Sequence, residues 1–240
     1  MILDERVRTD LTGKTRFKDV RLLESVASTN RLVADMAAHG AAEGLVVAAD
    51  YQTAGRGRLD RTWQARPGDG LLVSVLLRPE GLEAQRRHLI TAAVALAAQD
   101  ACRAVAGVAA DIKWPNDLLV SEKKLAGILA EATASAVVVG MGVNVHGGPP
   151  EAAVLDDAAG RRVRREDILV SWLQGLDRLL DRWDSVAELY RQRCATVGRD
   201  VDVHLTEGEH LRGRAEAVDE LGRLVVDGRP VAVGDVTHLR

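Results

Sequence analysis

The chain has 240 residues, room for one large domain, or a medium domain with a small one, around a proper hydrophobic core. A formal net charge of −3 excludes the basic domain expected of a large nucleic-acid footprint. No window approaches the roughly 18 apolar residues of a membrane span, and no apolar run follows a basic head at the N-terminus, so a cytoplasmic protein with no membrane or DNA partner is expected.

Residues 1–17 are polar, with room for one short helix, and residues 19–24 read as a strand. Ser28-Thr29-Asn30 then precedes Leu32, Val33, Met36 and Ala37 at helical spacing, with Gly40 as the stop. The three polar residues suit helix capping; hydroxyl, amide and N–H groups at a helix start also suit an anionic or polar ligand. A strand over 45–49 leads into Tyr51-Gln52-Thr53-Ala54-Gly55-Arg56-Gly57-Arg58-Leu59-Asp60-Arg61-Thr62-Trp63, and another strand follows at 71–77. Glycines let the backbone approach a ligand, successive N–H groups form an anion-binding nest, and arginine adds a planar charged fork. This reads as a loop that closes on a small phosphorylated anion; the alternative is a solvated basic turn. Glycines and mutually repelling arginines without partners should leave residues 55–61 poorly ordered in the absence of ligand.

Residues 84–106 form the longest helix, with Leu89, Ala93, Leu96, Ala97, Ala101 and Val105 on one stripe and Gly107 at its end. Cys102 within it reads as a buried thiol; with Cys194 and no Cys-x-x-Cys pair, it fits a reducing compartment. Trp114 before Pro115 must be extended, so a strand stops there and turns through Asn116 and Asp117. Residues 118–131 read as a hairpin in which Gly127 marks a bulge or a close backbone approach. A buried strand over 137–144, a Gly/Pro loop at 147–150, and helices over 166–183 and 184–193 follow. The arginine pairs at 161–162 and 164–165 lie among Asp156, Asp157, Glu166 and Asp167 and read as a solvated helix start. Beyond residue 199 the strands are short and alternating, with Asp227-Gly228 as a hairpin turn. The division expected is 1–195 and 196–240, the second part a small barrel.

Several common catalytic engines are missing. The phosphate-binding G-x-x-x-x-G-K-[ST] loop is absent, the third glycine of the dinucleotide fingerprint is replaced by Asp60, no G-x-S-x-G elbow occurs, and no Cys/His cluster has metal spacing. A lone loop histidine such as His146 reads as surface. What remains is a cationic and polar set at strand ends: Arg56, Arg58, Arg61, Lys113, Asn116, Asp117 and Lys124. Such a set suits phosphoryl or nucleotidyl transfer, where the protein positions groups and neutralises charge. A charge pair at contact is worth about 4 kcal/mol at an effective dielectric of about 20. Asp117 suits magnesium, which takes one or two carboxylates beside phosphate oxygens, or simply the turn after Asn116.

Gly55-Arg56-Gly57-Arg58-x-x-Arg61-x-Trp63, Lys113-Trp114-Pro115-Asn116-Asp117, Lys124-Leu125-Ala126-Gly127-Ile128-Leu129-x-Glu131 and Gly140-x-Gly142-x-Asn144, in this order behind Ser28-Thr29-Asn30, resemble the biotin–protein ligases. The resemblance runs to a terminal Gly234-Asp235-Val236 segment. It implies an α+β fold: a mixed β-sheet with helices packed on it, of the class II synthetase type, plus a small C-terminal SH3-like β-barrel. It implies that MgATP activates biotin to biotinyl-5′-AMP with release of pyrophosphate, and that a lysine of a biotin carboxyl carrier domain then takes the biotinyl group. By the same resemblance Ser28, Thr29, Asn30 and Gln52 bind biotin, and Gly55, Arg56, Gly57 and Arg58 form the loop over biotin and adenylate. Lys124, with Arg56 and Arg58, acts on the reacting carboxylate or α-phosphate, and Gly127 lets the backbone approach. Arg58, Arg61, Trp63, Lys113, Asn116, Asp117 and Asn144 face ATP, with Asp117 on the metal. Larger members carry an N-terminal winged helix-turn-helix where this sequence has a short lead, which implies the short class without DNA binding; a homodimer is left open. The loop after Asn144 has no aromatic residue to stack on adenine, which makes Trp63 the candidate, with a core role for Trp63 equally open.

Overall fold

The structure is a computed structural model that describes residues 6–11, 13–79, 81–133, 136–205 and 208–239. Ahead of the first strand the described residues form a short helix, α1 (Arg6–Leu11). Then β1 (Asp19–Val26), α2 (Thr29–Ala38) and β2 (Leu45–Gln52) form a parallel strand pair with a helical crossover. β3 (Gly70–Leu77), β4 (Asp111–Lys113), β5 (Asp117–Val120), β6 (Lys123–Ala132) and β7 (Val137–Asn144) complete a seven-stranded mixed sheet of order β1-β2-β3-β7-β6-β5-β4. Every pair except β1/β2 is antiparallel.

Strand alternation divides the core between the two faces. Leu45, Val47, Leu76 and Val138 pack under Val33 and Ala37 of α2. Val46, Ala48, Val73, Val75 and Val139 face the larger core, built on α3 (His88–Ala101). The stretch expected as one long helix is a 3₁₀ turn over Ala84–Arg86, then α3, then a π turn over Cys102–Ala106 closed by Gly107 at φ 72°. By length and composition residues 84–106 could cross a membrane, yet they are the core helix here, packed on α5 (Arg165–Leu179) and α6 (Trp183–Arg193). Burial pushes the Cys102 thiol up to about 12.

A short helix missing from the sequence pattern, α4 (Leu155–Ala159), follows the Gly/Pro loop. The arginines at 161–165 are not all solvated. Arg165 is buried, its Nη2 2.8 Å from Asp50 Oδ1 and its Nη1 donating to Gly70 O at 3.1 Å. As the first residue of α5 it turns inward onto the sheet, where a charge needs both a counter-ion and hydrogen bonds.

The second sheet comprises β8 (Asp200–His204), β9 (His210–Val218), β10 (Leu224–Val226), β11 (Arg229–Val231) and β12 (Asp235–His238), antiparallel throughout in the order β11-β10-β9-β8-β12. Asp227 and Gly228 both take positive φ, the twist a two-residue hairpin needs. Its apolar face continues the larger core, and Trp114 ties the two sheets: its Nε1 donates to Gly222 O and its backbone N to Thr196 Oγ1, each at 3.0 Å.

Candidate active site

The face of the sheet that carries Val138 beneath α2 carries Gly140 and Gly142 farther along β7. Side chains thus vanish beneath the first turn of α2, and a cavity of about 120 Å³ opens there. Gly127 lies opposite Gly142 in the β6/β7 register, so two facing glycines make a flat floor. The Trp63 indole rests on it: a Cβ on Gly142 would strike the ring, and one on Gly127 would come within 3.0 Å of Cζ3. The indole Nε1 is buried without a hydrogen-bond partner.

One wall is a buried neutral network. Ser28 caps α2, and Thr29 and Asn30 occupy its first turn, all three about 4 % exposed. Thr29 N donates to Gln52 Oε1 at 2.7 Å. Ser74, fully buried, donates to Asn30 Oδ1 at 2.6 Å and lies 2.7 Å from the Thr29 hydroxyl. Asn30 Nδ2 donates to Glu131 Oε2 at 2.8 Å and to Leu129 O at 3.2 Å.

The other wall is the arginine loop, folded over the cavity as a narrow hairpin. Trp63 N donates to Gly55 O, and Gly57 N to Arg61 O. Leu59 and Asp60 both have positive φ, as a two-residue I′ turn requires. The expectation that these arginines lack partners fails. Arg56 Nη1 meets Glu131 Oε1 at 2.9 Å, Arg58 donates to Asn116 Oδ1 at 3.0 Å and Gly234 O at 3.1 Å, and Arg61 pairs with Asp235. Burial lowers the Arg58 pKa, with Asp235 and Asp117 opposing that shift. Asn116 is itself fixed to β6, its Nδ2 donating to Ile128 O at 2.8 Å. Lys124 Nζ sits 5.8 Å from the Trp63 ring centroid, within cation–π range. The same ammonium is 2.7 Å from Asp117 Oδ1, an ion-pair contact without hydrogen-bond alignment.

Residues 22–147 match the model of the biotin/lipoate A/B protein ligase family. The chain is 37 % identical to the biotin–[acetyl-CoA-carboxylase] ligase of Mycobacterium tuberculosis over 99 % of its own length and 96 % of that protein. The chain belongs to the biotin/lipoate A/B protein ligase family. It is also 30 % identical to the bifunctional ligase/repressor BirA of Bacillus subtilis, over 84 % of this chain and 67 % of that one. Among solved structures, the biotin protein ligase from Aquifex aeolicus in complex with biotin and ATP superposes with a TM-score of 0.81 at 26 % identity, covering 93 % of this chain and all of that one.

In this family member the cavity gathers Ser28, Thr29, Asn30, Gln52, Arg56, Gly57, Arg58, Arg61, Trp63, Asn116, Asp117, Lys124 and Gly127 from the residues singled out in the sequence. Gly55 stands just behind, packed on the Trp63 carbonyl. Two more of the set lie outside it. Lys113 lies toward the second sheet, where its charge helps to lower the pKa of His238. Asn144 is buried and donates to the Lys124 carbonyl at 3.2 Å, so it touches the hairpin backbone. His146, read as surface, is nearly buried, its Nδ1 2.9 Å from Asp156 Oδ2. Sequence reading missed Ser74 and Glu131 as parts of the network, and Asp235, which reaches the cavity from the second sheet.

Proposed function

We infer that this chain is an ATP-dependent biotin–protein ligase. It joins the biotin carboxylate to the α-phosphate of ATP, the bond from that phosphorus to the bridging oxygen breaks, and pyrophosphate leaves. A carrier-domain lysine amine then attacks the acyl carbon of biotinyl-5′-AMP, forming the amide, losing a proton and releasing AMP. What supports the reading is the 37 % identity across nearly the whole chain to a biotin–[acetyl-CoA-carboxylase] ligase, together with one cavity lined by both a neutral network and a cluster of cations.

The two walls suit the two halves of the adenylate. Ser28, Thr29 and Asn30, all buried, and the half-buried Gln52 offer neutral donors and acceptors, the chemistry that holds a ureido ring. Lys124, Arg56 and Arg58 reduce the repulsion between a carboxylate and the phosphate it attacks, a contribution made where charge develops. Arg61, Trp63 and Asn116 face the nucleotide. Asp117 fits magnesium as the single carboxylate of a site completed by phosphate oxygens, since its Oδ1 is buried and has no aligned donor. Bound there, the ion would offset phosphate charge. The catalytic unit is residues 1–195, the barrel is 196–240, and the protein works in the cytoplasm.

The test is biotin-dependent exchange of labelled pyrophosphate into ATP, followed by transfer of labelled biotin to a carboxyl carrier domain, with lipoate as the competing acid. Exchange driven by lipoate but not by biotin would overturn the assignment.

A further inference from the structure

We propose that the C-terminal sheet carries a second, independent site: a divalent transition cation of the zinc, nickel and copper class held by Asp202, His204 and His210. His204 and His210 are register partners across β8/β9, so their side chains stand on one face of the sheet. Asp202, two residues before His204 on the same strand, shares that face. The imidazole centroids are 4.2 Å apart with the rings tilted by 52°. One donor atom from each of the three residues can be chosen so that all lie within 4.8 Å of one another. Zinc binds imidazole nitrogen and carboxylate oxygen at about 2.0–2.2 Å, so tetrahedral donors sit roughly 3.3–3.6 Å apart. The remaining distance is closed by side-chain rotation, since both imidazoles are half-exposed.

The carboxylate is divided in a way that favours this use. Asp202 Oδ2 accepts from Arg212 Nε at 2.8 Å. Oδ1 faces the imidazoles, 3.2 Å from His210 Nδ1 and 3.9 Å from His204 Nε2. An Asp202–Arg212 ion pair explains one oxygen and leaves two neighbouring exposed imidazoles sharing the other. A cation gives all three a common partner, with water in the fourth position. Two imidazoles and one carboxylate select zinc, nickel or copper over magnesium or calcium, which prefer oxygen ligands. None of the three residues lines the cavity described above. The other register partner of His204 is Asp235, which pairs with Arg61 of the arginine loop, so the site lies one strand over from that anchor.

Calorimetric titration of the tag-free, chelator-stripped chain tests this, with zinc chloride and magnesium chloride run separately and without nucleotide. One zinc per chain is expected, with no saturable magnesium heat. His204→Ala and His210→Ala should each weaken zinc binding at least tenfold, because losing a direct ligand costs no less than the roughly 10–100-fold of an outer-shell partner. His204→Gln and His210→Gln serve as second variants, and His39→Ala, an exposed histidine at the end of α2, should bind zinc normally. Absence of zinc binding, or binding that the His204 and His210 variants leave unchanged, overturns the proposal.

Discussion

The two walls of the cavity are held by different physics. The α2 wall is neutral and mostly buried: Thr29, Asn30 and Ser74 are at most 4 % exposed, and Thr29 N reaches the half-buried Gln52 through a 2.7 Å hydrogen bond. The loop wall is charged and largely exposed, with Arg56 and Arg61 side chains 50 % and 63 % accessible and tied by ion pairs to Glu131 and Asp235. Buried polar groups cost the full desolvation penalty when a partner is lost, whereas exposed ion pairs contribute about 0–1 kcal/mol. One wall is therefore preorganised, and the other can open at little cost. Glu131 joins them, with one carboxylate oxygen on Asn30 and the other on Arg56.

Substitutions should separate the walls by the size and kind of loss. Lys124→Ala, on the charged side, should slow adenylate formation by roughly 10²–10³, as removal of one oxyanion donor does, while biotin affinity changes far less. Equal losses in pyrophosphate exchange and in biotin titration would deny Lys124 its role in the reacting step. Gly140→Ala drives a Cβ into Asn30 Oδ1 and brings it 3.1 Å from Ser74 Oγ. It should cost about 2–4 kcal/mol in denaturant unfolding, since more than one buried group loses its partner. Ser74→Ala strips a single donor from Asn30 and should cost about 1–3 kcal/mol by the same assay. Asp235→Asn should change stability by less than about 1 kcal/mol yet speed protease cleavage within residues 55–63. If unfolding shifts as far for Asp235→Asn as for Ser74→Ala, the contrast between the walls collapses.

The smallest effect concerns the seam behind the loop. Burial first, then Arg199 and Lys113, lowers the folded-state pKa of His238. The unfolded chain then binds its proton more readily, so this contribution to stability is full above the unfolded value of about 6.5 and is lost as pH falls below it. His238→Gln should flatten the decline in Tm between about pH 8 and pH 5. An unchanged slope would place the acid sensitivity elsewhere.

The legible parts of the site were those with a local signature. Ser28-Thr29-Asn30 stands at a helix start, the arginines alternate with glycines, and Lys124 and Gly127 sit together in one hairpin. Ser74 left no such trace: it is a lone hydroxyl in an apolar strand, and its meaning comes from Asn30, 44 residues away. Asp235 was harder still, since it meets Arg61 across 174 residues and from another sheet. The strands of the mixed sheet were legible because the central ones are short unbroken apolar runs, buried on both faces. Periodicity overran in the long helix, whose apolar stripe continues through a change of winding at Cys102. It also misjudged Arg165, because a formal charge does not reveal that Asp50 waits across the core.

The tryptophan lying across Gly127 and Gly142 sets a rule for anything else that lands on those residues. An incoming molecule must evict an aromatic ring before it touches the backbone, so its measured affinity is a difference between two occupants. Trimming that ring would remove the resident competitor along with any stacking it offers. Tighter capture of a small ligand and poorer retention of a large one could then arise from one change.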